Sequence, residues 1–491
     1  MGKLKSLASD TIIYGASTIL GRLLNWLLMP LYIRTIAKAE YGIVTDIYCI
    51  IAVALVVACL GFETGYFRFV NEENKNRLMD TLLSAVSVIG ILIISSFVLF
   101  DDFLCYIIHT DISRSSSLFI ASLIVVADAL NSVFFAELRY YRRSVLYSIL
   151  RLFQVIITVL FVLFFIFFLR NKTFFDFDFS SISDVNYILI ANLIGSLSSI
   201  IYFMPSFFTR KHQFDYQILK TVSLYCIPLV GMGFFGNLNQ QIEKLMLPHL
   251  VNSVDDSQVE LAIYAANFKI GVLMAIFTQS FRLAFEPFFF KESSSNDKRD
   301  IYADVMKYFV YFGLIIYACV ILFVPLVNQF ILKQDYVRGN VIIPYVLIGQ
   351  LFFGVYYSLS MWYKKIDKTY FGMIMSTVGL VVNIILNIVL VPQYGIIGAA
   401  ISSLCGYFVM MMLSLILGNH YYPIPYQFTR MTIVSVLVIA FVCFVQWISE
   451  SYIPRFWFIP SSLAILFIIF ALLKIEGISI LKILNRGKGK N

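Results

Sequence analysis

Arg22 stands in the middle of an apolar stretch, and its neighbours one turn away on either side are small or polar. Gly15, Thr18, Arg22, Asn25 and Met29 recur at steps of three and four, which puts them on one face of a helix, while Leu20, Leu24, Leu27 and Leu31 lie elsewhere. A charge at the midpoint of a membrane-spanning helix costs about 2.5–3.5 kcal/mol to insert, so it faces protein or water. Either Arg22 lines a cavity and receives an anion, or it bridges helices. The first reading is preferred because intramembrane charges serve function by default.

Other polar positions fall inside apolar segments. Gly233, Gly236, Gln240, Glu243 and Leu247 form a comparable stripe with Lys244 beside it, and Pro248 follows within about a turn. Glu243 and Lys244 either line the same cavity or snorkel to the outer surface. Lys269 has Ala265, Ala266, Val272 and Leu273 at its i±4 and i±3 positions, so its partner comes from another helix or from substrate. Asp128, with Asn131 a turn on, is a buried carboxylate suited to exchanging a proton or holding sodium; a structural pair with Arg22 is the alternative. Asp46 and Glu63 suit interface or gating roles, Arg282 and Glu286 an i,i+4 pair, and Asn383 with Asn387 interhelical hydrogen bonding. Pro30 and Pro248 are expected either to hinge their helices or to end them.

The elements that carry these residues follow from composition. Hydrophobic residues make up 60% of 491 and charged residues 13%, with a mean hydropathy of +0.85, which is the makeup of an integral membrane protein. A span needs roughly 20 apolar residues, and fourteen are expected at 11–33, 43–66, 80–100, 118–138, 146–169, 185–206, 221–247, 259–285, 305–328, 341–362, 371–391, 394–417, 430–448 and 455–473. The first is read as a retained helix, because no small-residue cleavage site follows it before the next polar break.

Basic residues crowd the N-terminus, the tail and the loops after even-numbered spans, among them Arg142, Arg143, Arg151, Arg210, Lys211, Lys364 and Lys365. The positive-inside rule then places both termini in the cytoplasm, and the net charge of +8 reflects topology and anionic lipid. No loop is long enough for a catalytic domain, and no phosphate-binding glycine loop, paired cysteines or clustered histidines are found. An enzyme, a metal site and a nucleic-acid partner are therefore not expected.

A weak internal echo aligns Leu28-Met29-Pro30 with Met246-Leu247-Pro248, which sets Arg22 against Gln240 and Asn25 against Glu243. Two parallel six-helix repeats with a site between them is a transporter architecture. The expected organisation is an N-terminal lobe at 1–206, a C-terminal lobe at 207–417, and two further helices with a basic tail at 418–491.

The most specific motif is Leu386-Asn387-Ile388-Val389-Leu390-Val391-Pro392-Gln393-Tyr394-Gly395-Ile396-Ile397-Gly398-Ala399-Ala400. Pro392 and Gly395 allow a minimal outer turn, and Gly398, Ala399 and Ala400 allow close helix packing. The run resembles the eleventh-to-twelfth helix junction of polysaccharide flippases, in the superfamily that also holds multidrug and toxin extruders and the lipid II flippase. The start of the chain, from Tyr14-Gly15 through Gly21-Arg22 to Pro30-Leu31-Tyr32 and Tyr41-Gly42, is similar to that of O-antigen and capsule flippases.

The resemblance implies that undecaprenyl diphosphate-linked oligosaccharide is turned across a bacterial inner membrane by alternating access through a cationic cavity. It also implies coupling to a proton or sodium gradient, no other cofactor, and the polysaccharide polymerase machinery as a partner. Substrate binding is then expected of Arg22, Asn25, Gln240, Lys244 and Lys269, ion coupling of Asp128 and Glu243, and gating of Pro30 and Pro248. The competing readings are a small-molecule cation antiporter of the same superfamily, the lipid II flippase, and a membrane glycosyltransferase, polymerase or ligase.

Overall fold

The computed structural model describes residues 2–71, 73–108, 115–170, 173–174, 177–178, 182–208, 213–251, 257–292, 299–366, 368, 370–452 and 456–476. The surroundings of Gly15, the side chains of Thr18 and Glu286, the residues His109 and His212, and the basic tail from 477 onward lie outside the described set.

The first helices are α1 (Gly2–Thr35), α2 (Lys38–Cys59), α3 (Phe62–Phe69), α4 (Lys75–Leu99), α5 (Asp101–Ile107) and α6 (Ser115–Tyr140). Next come α7 (Ser144–Phe164), extended by a π-helical turn to Leu169, a two-residue hairpin of β1 (Thr173–Phe174) and β2 (Phe177–Asp178), then α8 (Asp184–Phe208) and α9 (Tyr216–Leu250). The rest are α10 (Ser257–Glu292), α11 (Arg299–Leu322), α12 (Val324–Phe330), α13 (Ile343–Leu359) after a 3₁₀ turn, and α14 (Met361–Lys365). They are followed by α15 (Tyr370–Tyr394), α16 (Ile396–Tyr421), α17 (Phe428–Tyr452) and α18 (Phe458–Ile475). Among the described residues, thirteen helical segments are long and apolar enough to span a bilayer. With α1, which contains the expected span 11–33, they reproduce the fourteen expected spans.

By packing, the chain forms two compact units. The first comprises residues 1–266 and 368–409, the second 267–367 and 410–491. In the first, α7 lies between α1 and α8, α6 packs on α2, α4 and α8, and α9 packs on α2, α3 and α15. In the second, α11 holds α13, α17 and α18.

Two local features set the geometry of the first unit. The second span is broken, because Leu60 (φ 43°) and Gly61 (φ 64°) both take left-handed conformations between α2 and α3. Beyond the break α3 lies tight on α9: a methyl group at Gly65 would come within 2.6 Å of Val222 and 2.8 Å of Cys226 Sγ. Further along the chain, α15 and α16 are joined by Gly395 alone, at φ 54° with its N–H donating to the Val391 carbonyl at 2.8 Å. This left-handed position favours glycine by conformation, since nothing would crowd a side chain there. Gly398 answers a different demand, as a methyl group would press on the Leu390–Val391 backbone at 2.6–2.8 Å.

Candidate functional site

On α1, Arg22 and Asn25 are exposed, and so are Leu20 and Leu27. At 3.6 residues per turn the two pairs lie on opposite sides of the helix. The leucines suit lipid, which leaves Arg22 and Asn25 on a face accessible from the protein side. Arg22 lies thirteen residues before Thr35, about 20 Å along the axis and therefore deep in the bilayer. Met29, also on this face, is fully buried. The helix continues five residues past Pro30, so Pro30 does not terminate it, whereas Pro248 stands two residues before the end of α9.

Asp128 sits at mid-depth in α6 within a polar network. Its Oδ1 accepts from Ser196 Oγ of α8 at 2.7 Å and from Gln154 Nε2 of α7 at 3.4 Å. Gln154 Nε2 also donates to Ser196 Oγ at 3.1 Å, and its Oε1 accepts from Arg151 Nη1 at 3.1 Å. Asn131, a turn along, donates to the Ser196 carbonyl at 2.9 Å and accepts from Ser199 Oγ at 2.9 Å. The hydrogen-bond partners of Asp128 are thus Ser196 and Gln154 rather than Arg22, and the network ties three helices where lipid offers no substitute.

The C-terminal half of α9 carries the second group. Glu243 is fully buried, and neither carboxylate oxygen has a hydrogen-bond partner among the described residues; Lys244 Nζ stands 3.9 Å away. Lys244 is itself 8% exposed and donates to the Gln240 carbonyl and to Gln241 Oε1, both at 3.1 Å. Neither residue snorkels, because α2 and α15 cover this part of α9. Cys49 of α2 donates to the same Gln241 oxygen at 3.4 Å. Across α9 and α15, Asn383 Nδ2 donates to the Asn239 carbonyl and Oδ1 at 3.2 and 3.1 Å, and Asn387 donates back to Asn383, all three being fully buried. This is the interhelical bonding expected of the asparagine pair.

Asp46 of α2 is also fully buried. Its Oδ2 accepts from Gln258 Nε2 at 2.9 Å, and the same nitrogen donates to the Ile108 carbonyl at 2.7 Å. Glu63 pairs with Arg139, whose guanidinium lies over Phe67 and Tyr147. In the second unit, Lys269 is partly buried on α10, and Arg282 stacks on Tyr357 at 4.8 Å. Glu476 there accepts from Lys307 Nζ at 2.7 Å and pairs with Arg430 at 3.0 Å, tying α11 and α17 to the end of α18.

Residues 7–292 match the polysaccharide biosynthesis protein family, which is more than half of the chain. The chain belongs to that family. A second family, MatE, matches residues 233–389. The Lsg locus putative protein 1 of Haemophilus influenzae is 20% identical over 289 residues, 57% of this chain; the chain spans 65% of that relative's length. Among solved structures, the lipid II flippase MurJ in an inward closed conformation superposes with a TM-score of 0.75 at 15% identity, covering 94% of this chain and 99% of MurJ. A mutant of the Vibrio cholerae MATE transporter VcmN gives 0.60 at 16% identity over 86% and 98% of the two chains. At such identities the likeness is one of fold, here a membrane transporter fold.

The sequence alone sets Arg22, Asn25 and Asp128 in a lobe at 1–206 and Gln240, Glu243, Lys244 and Lys269 in one at 207–417; by packing, the first six of these seven residues fall in the first unit and Lys269 in the second. Sequence reasoning missed Arg151, counted among inner-loop charges, which stands seven residues inside α7. The signal was present: Arg151 and Gln154 are three apart and share a face with Thr158, opposite the apolar positions of the same span.

Proposed function

We propose that this transporter is a flippase for undecaprenyl diphosphate-linked oligosaccharide repeat units, serving assembly of a surface polysaccharide such as O-antigen or capsule. The observation that carries the reading is the exposed pair Arg22 and Asn25, deep in α1 and facing away from lipid. A diphosphate crossing a membrane needs cationic, hydrogen-bonding groups in a wet cavity, while its lipid tail stays in the bilayer. Family membership and the fold shared with a lipid II flippase support it. An exposed cation here favours an anionic head group over the organic cations of an antiporter, and the buried Asp46 and Glu243 offer no exposed acid in its place.

In this reading the protein transports and makes no covalent bond. It works in a bacterial inner membrane with both termini cytoplasmic, hands its cargo to polymerase machinery, and alternates access between lobes at 1–206 and 207–417. Gln240 and Lys269 extend the binding surface. The half-buried Asp128 and the fully buried Glu243, on different helices, couple the cycle to protons or sodium, with Lys244 as the fixed counter-charge of Glu243.

The test is the partitioning of lipid-linked sugar between leaflets in spheroplasts lacking this chain, then restored with wild type or Arg22→Ala. Cargo held on the inner leaflet and released by wild type alone is the expected result, with Arg22→Ala present in the membrane at normal levels. Wild-type release by Arg22→Ala removes the cavity assignment.

A further inference from the structure

Arg151 is an exposed cation whose surroundings differ from those of Arg139, Arg170 and Lys244 in the same unit. Arg139 pairs with Glu63, Arg170 with Asp184 and Lys244 with Glu243. Arg151 has no carboxylate in ion-pair range among the described residues; its one hydrogen bond goes to Gln154 Oε1, and its guanidinium rests 4.9 Å from the centre of the Phe135 ring. Guanidinium carries five N–H donors, so most of its capacity faces open space.

That space is not lipid. The exposed apolar residues of α7 are Val145, Ile149, Phe153, Ile156, Leu160 and Phe164, which form one stripe at about 100° per residue. Arg151 points to the opposite side, in line with the buried Ser144, Tyr147, Gln154 and Val162. An exposed charge on the protein side of a spanning helix marks a water-filled path. Its depth is seven residues from Ser144, or about 10 Å from that end of α7.

Arg151 also lies near Arg22. A methyl group at Gly21 would touch Val155 Cγ2 at 3.6 Å, so Arg22 is level with the turn just above Arg151, about 6 Å further along α7. The two cations thus stand about one turn apart in height on packed helices. Gln154 then links Arg151 to Asp128. Because its carbonyl accepts from Arg151, its amide nitrogen is directed at Ser196 and Asp128, and no flipped orientation satisfies all three.

We propose that Arg151 is a binding site for the phosphate groups of an acidic lipid-linked substrate, one turn before Arg22 on the path, and that Gln154 is a positioning residue that ties its occupancy to Asp128. An anion at Arg151 competes with Gln154 Oε1 for Nη1, and releasing that amide loosens the hydrogen bonds that fix Asp128. Linkage works in both directions, so a change at Asp128 alters anion affinity. The inference rests on the flippase reading and adds a residue and a coupling route to it.

The test uses the full chain in neutral detergent micelles, titrated with farnesyl diphosphate and, in a parallel arm, with short-chain phosphatidylglycerol. Arg151→Ala is expected to lower diphosphate affinity by about 10- to 100-fold, and Arg151→Lys, which keeps the charge but loses the planar fork, by less. Asp128→Asn is expected to shift the affinity in the wild-type background and to shift it at least about twofold less beside Gln154→Leu.

Unchanged diphosphate affinity in both Arg151 variants overturns the site while leaving the flippase reading intact if Arg22→Ala still loses binding. An equal loss for phosphatidylglycerol makes Arg151 a general lipid-headgroup contact and also overturns the proposal. An Asp128→Asn shift that is the same with and without Gln154 overturns the coupling. No diphosphate binding by wild type refutes the flippase reading and this inference together.

Discussion

Gly42 is the position where a single methyl group should do the most measurable damage. A Cβ there would overlap the Gln258 carbonyl oxygen and stand 2.7 Å from its Oε1 and 2.9 Å from its carbonyl carbon. Backbone atoms cannot rotate away, so Gly42→Ala must push α2 from the start of α10. Overpacking of this kind costs about 1–3 kcal/mol. The displacement also stretches the 2.9 Å bond from Gln258 to Asp46, whose other oxygen already has no partner among the described residues. Leaving a buried acceptor without its donor costs about 1–3 kcal/mol.

The expected total is about 3 kcal/mol, towards the lower end of the combined range, because unfolded states in a membrane or micelle find substitute partners. That is roughly a hundredfold in the folded-to-unfolded ratio. Reversible unfolding in mixed micelles, followed by circular dichroism, reads it directly. A cycle with Gln258→Ala separates the two contributions, since the double variant retains only the overpacking; coupling of about 1–2 kcal/mol is expected. A Gly42→Ala protein within about 0.5 kcal/mol of wild type, or a cycle without coupling, refutes the reasoning.

Three further outcomes follow from packing. A double-mutant cycle between Asn239→Ala and Asn383→Ala should give about 0.6–1.7 kcal/mol of coupling by the same unfolding assay, and strict additivity would mean that the 3.1 Å bond between their side chains contributes nothing. Gly395→Ala should destabilise by about 1–2 kcal/mol through its left-handed conformation alone, with Gly395→Asn recovering much of the loss; an equal loss in both would show that something other than backbone strain is at work. Lys307→Met should lower stability by about 3 kcal/mol by leaving Glu476 under-compensated, while Lys307→Met combined with Glu476→Leu should restore most of it in a thermal melt.

The spans were legible because length and apolarity are properties of a continuous stretch: every expected segment from 11–33 to 455–473 overlaps a helix or, at 43–66 and 341–362, a broken pair of helices. The face of α1 was legible for the same reason, since Arg22, Asn25, Leu20 and Leu27 sort by period alone. The turn at Gly395 could be read from residue chemistry. The break at Leu60 could not, as leucine carries no signal for a positive φ.

Partners were the hardest to foresee. Asp128 is bonded to residues 26 and 68 positions away, a pairing fixed by how α6, α7 and α8 stack and not by any local pattern. Glu243 and Lys244 could equally have been interfacial charges until α2 and α15 were seen to cover them. Arg151 was hidden by its own type, because a basic residue a few positions from a loop looks like a topological signal.

The single-residue link between α15 and α16 bears on how the chain is made. No Asp, Glu, Lys or Arg occurs from Thr369 to Thr429, so neither helix carries a charge that could orient it during insertion. With only Gly395 between them, the two cannot leave the translocon as independent helices and must pass into lipid together as a folded hairpin. Their direction is then set entirely from outside, by Lys364, Lys365 and Lys368 before the pair and Arg430 after it. The short turn therefore does more than pack two helices: it hands the topology of the whole uncharged stretch to the basic side chains at its borders.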